Sequence, residues 1–415
     1  MIESKPNMVG STSNHLSMSS SVRQRVALST ASSAHFLHDG IADSLYVLLP
    51  IWAQAFGLNY TQVGCLKTAY SAVMAAFQMP AGVLAERYSE RGLLVAGTLL
   101  AGAAFAGMAT ASGFFSVFIA ILVVGFGSAV QHPLASAIIS QTYPAERRRS
   151  ALGIYNFAGD VGKMGVTFGV STAAGIIGWR ATVAGYGTIV AAASVLLLLV
   201  LWRHSLGSPR ASEAGVGGPR GTRVGLSGLQ LTNARGFVLL SSIHAVDSAG
   251  RTGALTLLPF VLVQKGASIA TIGLALACIF AGGAIGKLAC GLLADRIGIL
   301  RTVVVTELAT AAFLLTALFA PLTLVLTIMP LLGIALNGTS SVLYGTVTDF
   351  VHADRQARAF GLFYTIGSAA GGASPIVFGA MSDWIGLTHA IVALAVIILG
   401  TLPVAVLIRS HLAAP

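Results

Sequence analysis

Long unbroken apolar runs, separated by short polar breaks, set the pattern of this chain. A bilayer core needs about 20 apolar residues per helix. Runs of that kind occur at 29–52, 62–84, 92–111, 114–140, 150–176, 181–203, 236–262, 270–294, 301–320, 322–348, 358–381 and 388–409. The pattern predicts an all-α integral membrane protein with twelve transmembrane helices. The third and fourth runs are parted only by Ala111-Ser112-Gly113, and the ninth and tenth only around Pro321. The longest gap, 204–235, holds Pro209, Pro219 and several Gly and Arg residues, and reads as a cytoplasmic linker between two six-helix sets. The expected organisation is therefore a tail over 1–28, a bundle over 29–203, the linker, a second bundle over 236–409, and a short tail over 410–415. The first tail is polar and Ser-rich. It lacks the apolar core and small-residue cleavage site of a signal peptide, so it reads as disordered.

Composition agrees with a membrane as solvent. Of 415 residues, 55% are apolar and 9% charged, against roughly 25% charged in soluble domains. The 48 glycines suit helices that pack closely in lipid. Cys65, Cys278 and Cys290 sit in apolar runs without metal-ligand or disulfide spacing and read as packing residues. The net charge of +10 is asymmetric. With the N-terminus inside, the cytoplasmic loops receive Arg23, Arg25, Arg87, Arg91, the run Arg147-Arg148-Arg149, Arg203, Arg235, Arg296, Arg301 and Arg409, among others. The opposite side receives Arg180 and Lys265. The positive-inside rule thus puts both termini in the cytoplasm of an inner-membrane protein and explains the basic charge without nucleic acid. The Arg147–Arg149 run suits anionic lipid headgroups.

The chain repeats itself. An offset of 209 residues sets His35 on His244, Pro50 on Pro259, Gly64 on Gly273, Gly82 on Gly291, Glu86 on Asp295 and Arg87 on Arg296. An offset of 208 sets Gly153 on Gly361, Gly159 on Gly367 and Gly178 on Gly386. Two pseudo-symmetric bundles of this kind are a transporter architecture, with the substrate site at the midplane between them.

Two loops carry a matching motif, Gly82-Val-Leu-Ala-Glu86-Arg87 and Gly291-Leu-Leu-Ala-Asp295-Arg296. They resemble the loop signature of the major facilitator superfamily and its echo in the other half. On that resemblance Gly82 and Gly291 let helices approach closely, and the acid and Arg of each loop latch one conformation, a gating role. Ala34-His35-Phe-Leu-His38-Asp39 and Gly125-Phe-Gly127-Ser-Ala-Val-Gln-His132-Pro133 are similar to the fosmidomycin-resistance branch, whose members include drug exporters thought to be driven by protons. The fifth helix departs from that branch, with Asp160 and Lys163 where uncharged residues are usual.

Ionisable residues at span depth cost roughly 2.5 kcal/mol or more on insertion scales and mark functional sites. His35, Asp39 and Asp43 share one face of the first helix at four-residue spacing. An Asp there loses less on burial when neutral, so it can carry a proton as water access alternates. The bland reading is a helix-packing hydrogen-bond cluster, with His35 either a proton carrier or a partner of Asp39. Asp247 and Arg251 can pair on one face, or Arg251 can meet an anionic substrate or an acid of the first helix. Asp160 and Lys163 can pair at i,i+3. Lys67 and Lys287 have no local acid. Candidate substrate contacts are thus His132, Asp160, Lys163, Lys67, His244, Asp247, Arg251, Lys287, Asn337 and Tyr344. Pro133 should bend its helix.

The cation excess points to an anionic or zwitterionic small-molecule substrate. No ATP-binding loop, metal box or nucleophile elbow is present, so the chain reads as no enzyme, without a cofactor and not powered by ATP; the resemblance implies the proton gradient as energy source. The expected function is alternating-access transport, by a proton-coupled antiporter exporting a small anionic or amphiphilic compound. The alternatives are a proton-coupled importer of an organic acid and a non-transporting receptor of the same fold. One chain carries both halves, so a monomer is the expected functional unit.

Overall fold

The computed structural model describes residues 20–207, 231–352 and 356–411, and these residues are almost wholly helical. The N-terminal half runs α1 (Ser20–Phe56), α2 (Tyr60–Arg87), α3 (Glu90–Gly107), α4 (Phe114–Ser128), α5 (Gln131–Thr142), α6 (Ala145–Ile177) and α7 (Trp179–Arg203). The C-terminal half runs α8 (Ala234–Gln264), α9 (Ile269–Ile297), α10 (Ile299–Phe319), α11 (Leu322–Thr346), α12 (Gln356–Ile385), α13 (Leu387–Leu399) and α14 (Thr401–Ile408). The twelve expected spans are all present, two of them broken. The α4/α5 break lies at Ala129 and Val130, where the Pro133 ring excludes the carbonyl four residues back. The α13/α14 break at Gly400 follows Leu399, whose carbonyl lies four residues before Pro403.

Eight of the spans are long and apolar enough to cross a membrane on composition alone. The other four, α1, α2, α6 and α12, are interrupted by polar residues and line the interior. The first span starts at Ser20, earlier than the expected residue 29, because its polar first turns continue the helix beyond the apolar run. The rest of that tail, most of the linker (208–230) and residues 412–415 lie outside the described residues.

The repeat is structural. Gly178 and Gly386 both take a left-handed φ, 81° and 87°, at the turns into α7 and α13, which favours glycine. The two cations expected on the far side cap exposed helix ends there. Arg180 donates to the carbonyls of Ala109 and Ala111 at 2.6 and 2.8 Å, and Lys265 to those of Leu318 and Ala320 at 3.0 and 2.6 Å.

The halves meet along α2 against α12 and α6 against α9. They close at the end carrying the α1–α2, α8–α9 and α12–α13 turns. There Gly64 lies against the Pro375 backbone, Gly379 against that of Tyr60, and Gly273 against Ser171. Asp383 accepts from the Tyr60 and Thr61 N–H groups at 2.9 and 2.7 Å and from the Thr61 hydroxyl at 2.5 Å. One carboxylate from the second half thereby caps the first turn of a helix in the first.

At the opposite end, where residues 207 and 231 lie, the expected close approach at the loop glycines is not found. Nothing stands within 4 Å of where a Cβ on Gly82 or Gly291 would project. Arg87, Asp295 and Arg296 are exposed, and none of them joins an ion pair among the described residues. The Glu86 side chain lies outside the described residues. Neither loop glycine is in close helix contact in this state.

Asp383 therefore holds one state. Asp383→Ala is expected to remove about 1–2 kcal/mol from the closed contact and shift the population about tenfold toward opening there. Electron–electron distance measurement between spin labels at positions 58 and 385 checks this. The distribution should gain a longer component in the variant, and an unchanged distribution would rule out the role.

Candidate functional site

Between the halves lies a cavity of about 320 Å³, lined by His38, Asp39, Asp43, Lys67, His132, Lys163, His244, Arg251 and Tyr344 among others. A second chamber of about 260 Å³ shares Asp43, Lys163 and Arg251 with it and adds Asp160, Lys287 and Asn337. A further opening brings in His35. These volumes suit a small organic molecule. All four intramembrane cations reach the cavity.

The N-terminal wall is a hydrogen-bonded cluster centred on Asp39, which is 5% exposed. His35 Nε2 lies 3.2 Å from Asp39 Oδ2, and Lys163 Nζ lies 3.3 Å from the same oxygen. His38 Nδ1 is 2.9 Å from Asp39 Oδ1, and His132 Nε2 is 3.9 Å away. The cluster is held by close packing. Gly159 leaves room for the His35 ring and the Asp39 carboxylate, and Tyr155 stacks on His35 at 4.2 Å. Gly367 makes the same room for His244 in the other half, where Phe363 stacks at 4.2 Å.

The His35 geometry has a chemical consequence. Its Nδ1 lies 2.9 Å from the Tyr155 carbonyl oxygen, which can only accept, so Nδ1 carries a hydrogen. In a neutral ring, Nε2 is then a lone pair facing a carboxylate oxygen. That contact is attractive only with a proton between the two groups. His35, Asp39 and His132 also bring ligand atoms within 4.8 Å of one another, a spacing able to hold a metal ion. The Lys163 ammonium beside Asp39 already supplies a positive charge there, which opposes a divalent ion.

The other cations differ in their partners. Asp160 receives Lys287 from the opposite half at 2.8 and 2.9 Å, and lies 3.5 Å from Lys163. Lys67 donates to the Ala42 carbonyl at 3.1 Å and sits 4.2 Å from the Tyr46 ring centre. Arg251 makes no hydrogen bond or ion pair among the described residues, yet it borders both chambers. Asn337 bonds its own helix at the Gly333 carbonyl, 3.2 Å away, and Tyr344 packs edge-on against His244.

Asp247 departs from its expected place. It is buried, lines none of these chambers and forms no ion pair with Arg251. Arg251 borders the cavity, and Asp247 lies within electrostatic reach both of Arg251 and of Glu307 on α10. Sequence reading missed Glu307, an acid in the middle of the ninth apolar run. The cost of burying charge that flagged the cations would have flagged it too. His38 was likewise visible only as part of a motif.

Comparison with known proteins agrees with this geometry. A family model described as Major Facilitator Superfamily matches residues 31–242 and 240–413. A protein of Cupriavidus pinatubonensis named a probable 4-methylmuconolactone transporter is 24% identical over 357 residues, covering 83% of this chain and 80% of that one. YfnC of Bacillus subtilis, an MFS-type transporter, is 23% identical over 368 residues, 87% of each chain. A bacterial homologue of the human lysosomal transporter Spinster, solved inward-facing and unoccupied, superposes with a TM-score of 0.77 at 19% identity. It covers 94% of this chain and 98% of that one. These relatives are transporters, not enzymes, and this chain belongs to the major facilitator superfamily.

Proposed function

We propose that this protein is a proton-coupled carrier that takes up a small organic anion by alternating access, with Arg251 as the anion's anchor and the His35–Asp39 contact as the proton site. The observation that carries this reading is the unpartnered guanidinium bordering both chambers. A planar cation in no ion pair among the described residues is suited to bind a carboxylate through two hydrogen bonds. The charges support it: Lys67, Lys163, Arg251 and Lys287 face the cavity against Asp39, Asp43 and Asp160. On the charge asymmetry of the loops, the open end is cytoplasmic and the conformation is inward-open.

Electrostatics favours moving proton and anion together. A proton added at His35–Asp39 makes the cavity more positive, so each of the two ligands strengthens the binding of the other. The similarity of 4-methylmuconolactone's transporter also points to a small organic substrate. The first-helix and fourth-helix motifs favour a second reading, export by proton antiport. Uptake into proteoliposomes, acid outside, tests both. The probes are radiolabelled benzoate, lactate, succinate and 4-methylmuconolactone. Accumulation of one of them, collapsed by a protonophore, is expected. Expulsion of a loaded probe under the same gradient would replace uptake with antiport, and no movement of any probe would reject the anion.

A further inference from the structure

The C-terminal half buries two acids outside the cavity. Asp247 of α8 and Glu307 of α10 are 5% and 2% exposed. The two acids lie within electrostatic reach of each other, with Thr339 of α11 close to Glu307. Asp247 Oδ2 and Glu307 Oε1 are buried without a hydrogen-bond partner. Neither acid joins an ion pair among the described residues. The surrounding helices supply few charges. His244 and Arg251 come from α8, Tyr344 from α11 and Tyr364 from α12. Lys287 of α9 is engaged with Asp160. On α13, His389 bonds the Ile385 carbonyl at the closed end, and α14 has no ionisable residue.

The hydroxyls beside the pair fix where hydrogens lie. Thr306 Oγ1 is 2.9 and 3.0 Å from the carbonyls of Thr302 and Val303, which can only accept, so Thr306 donates to them. It must then accept from Thr339 Oγ1, 2.7 Å away. Thr339 has one hydroxyl hydrogen, and that one is used. Toward Glu307 it offers a lone pair, which suits a carboxylic acid and repels a carboxylate. Ionising two interacting acids that join no ion pair, at membrane depth, is strongly disfavoured.

We propose that Asp247 and Glu307 together hold one proton, forming a proton-binding site in the C-terminal half distinct from His35–Asp39. Tyr344, which borders the cavity, lies within electrostatic reach of Asp247. With both sites loaded, two protons ride in one conformation. The pair's existence does not depend on the identity of the transported molecule.

Infrared spectroscopy of the purified protein in vesicles tests this at rest, without any substrate. The carboxylic-acid carbonyl band, identified by its shift in heavy water, is followed as pH is raised. Wild type and Asp39→Asn should both show a buried-acid band that fades reversibly. The Asp247→Asn/Glu307→Gln double variant should lack it. Each single variant should move the midpoint by about one pH unit or more, the sign of two coupled acids. Both replacements are neutral isosteres of the protonated forms, so the fold is kept. A band that persists in the double variant would overturn the proposal. So would a band removed by sodium at constant pH, which would make the pair a metal-cation site. A failure of proton-driven uptake, by contrast, would count against His35–Asp39 and leave the band unchanged.

Discussion

Asp39→Asn is expected to abolish uphill accumulation while leaving downhill exchange of substrate intact. The carboxylate is the one group that touches His35, His38 and Lys163 together, at 3.2, 2.9 and 3.3 Å. A carboxamide fills the same space against Gly159 but cannot share a proton with His35 Nε2. Lys163 does not lose its only acid, because Asp160 lies 3.5 Å away, so the packing survives. Each coupled proton supports roughly tenfold accumulation per unit of pH gradient. In proteoliposomes with an imposed gradient, the variant's inside-to-outside ratio should fall to about one, while exchange of labelled for unlabelled substrate continues at a rate within a few-fold of wild type. Loss of both activities together would instead mean that Asp39 is a structural residue.

Arg251→Gln should act on binding and not on coupling. Removing one partner of a desolvated charge pair costs about 2–5 kcal/mol, so the anion's affinity should fall on the order of 100-fold. Arg251→Lys keeps the charge and loses the two-pronged geometry, and should recover part of that loss. Among the described residues this side chain has no hydrogen bond or ion pair to lose, so thermal stability should change little. Residual transport at high substrate concentration should keep the wild-type proton dependence. The measurement is the substrate concentration for half-maximal uptake at two pH values. An unchanged value in Arg251→Gln would remove this residue from the site.

The architecture was legible because it is written in run lengths. Twelve apolar stretches, a polar gap and an offset repeat define the two bundles. The repeat also encoded part of the site, since Gly159 and Gly367 prove to be the residues against which His35 and His244 pack. Pro133 announced its break through its missing N–H and its clash with the preceding turn. The inward faces of the remaining polar residues were not legible in the same way. A span surrounded by other helices has several buried faces, and spacing alone does not tell the cavity from the helix behind it. That is why spacing names Arg251 as Asp247's neighbour but does not reveal Glu307 on α10, which Asp247 also reaches electrostatically. Gly82 and Gly291 illustrate a different gap. Their motif speaks of a close helix contact, and in this conformation nothing stands within 4 Å of a Cβ at either position.

Proton exchange with solvent on ligand binding tests the central reading most directly. Purified protein in weakly buffered detergent solution would receive the anion identified by uptake, wild type beside Asp39→Asn. Proton uptake on binding in wild type, lost in Asp39→Asn, is the predicted result, because an anion at Arg251 strengthens proton binding at His35–Asp39. Proton release on binding, or uptake that Asp39→Asn leaves unchanged, would contradict it.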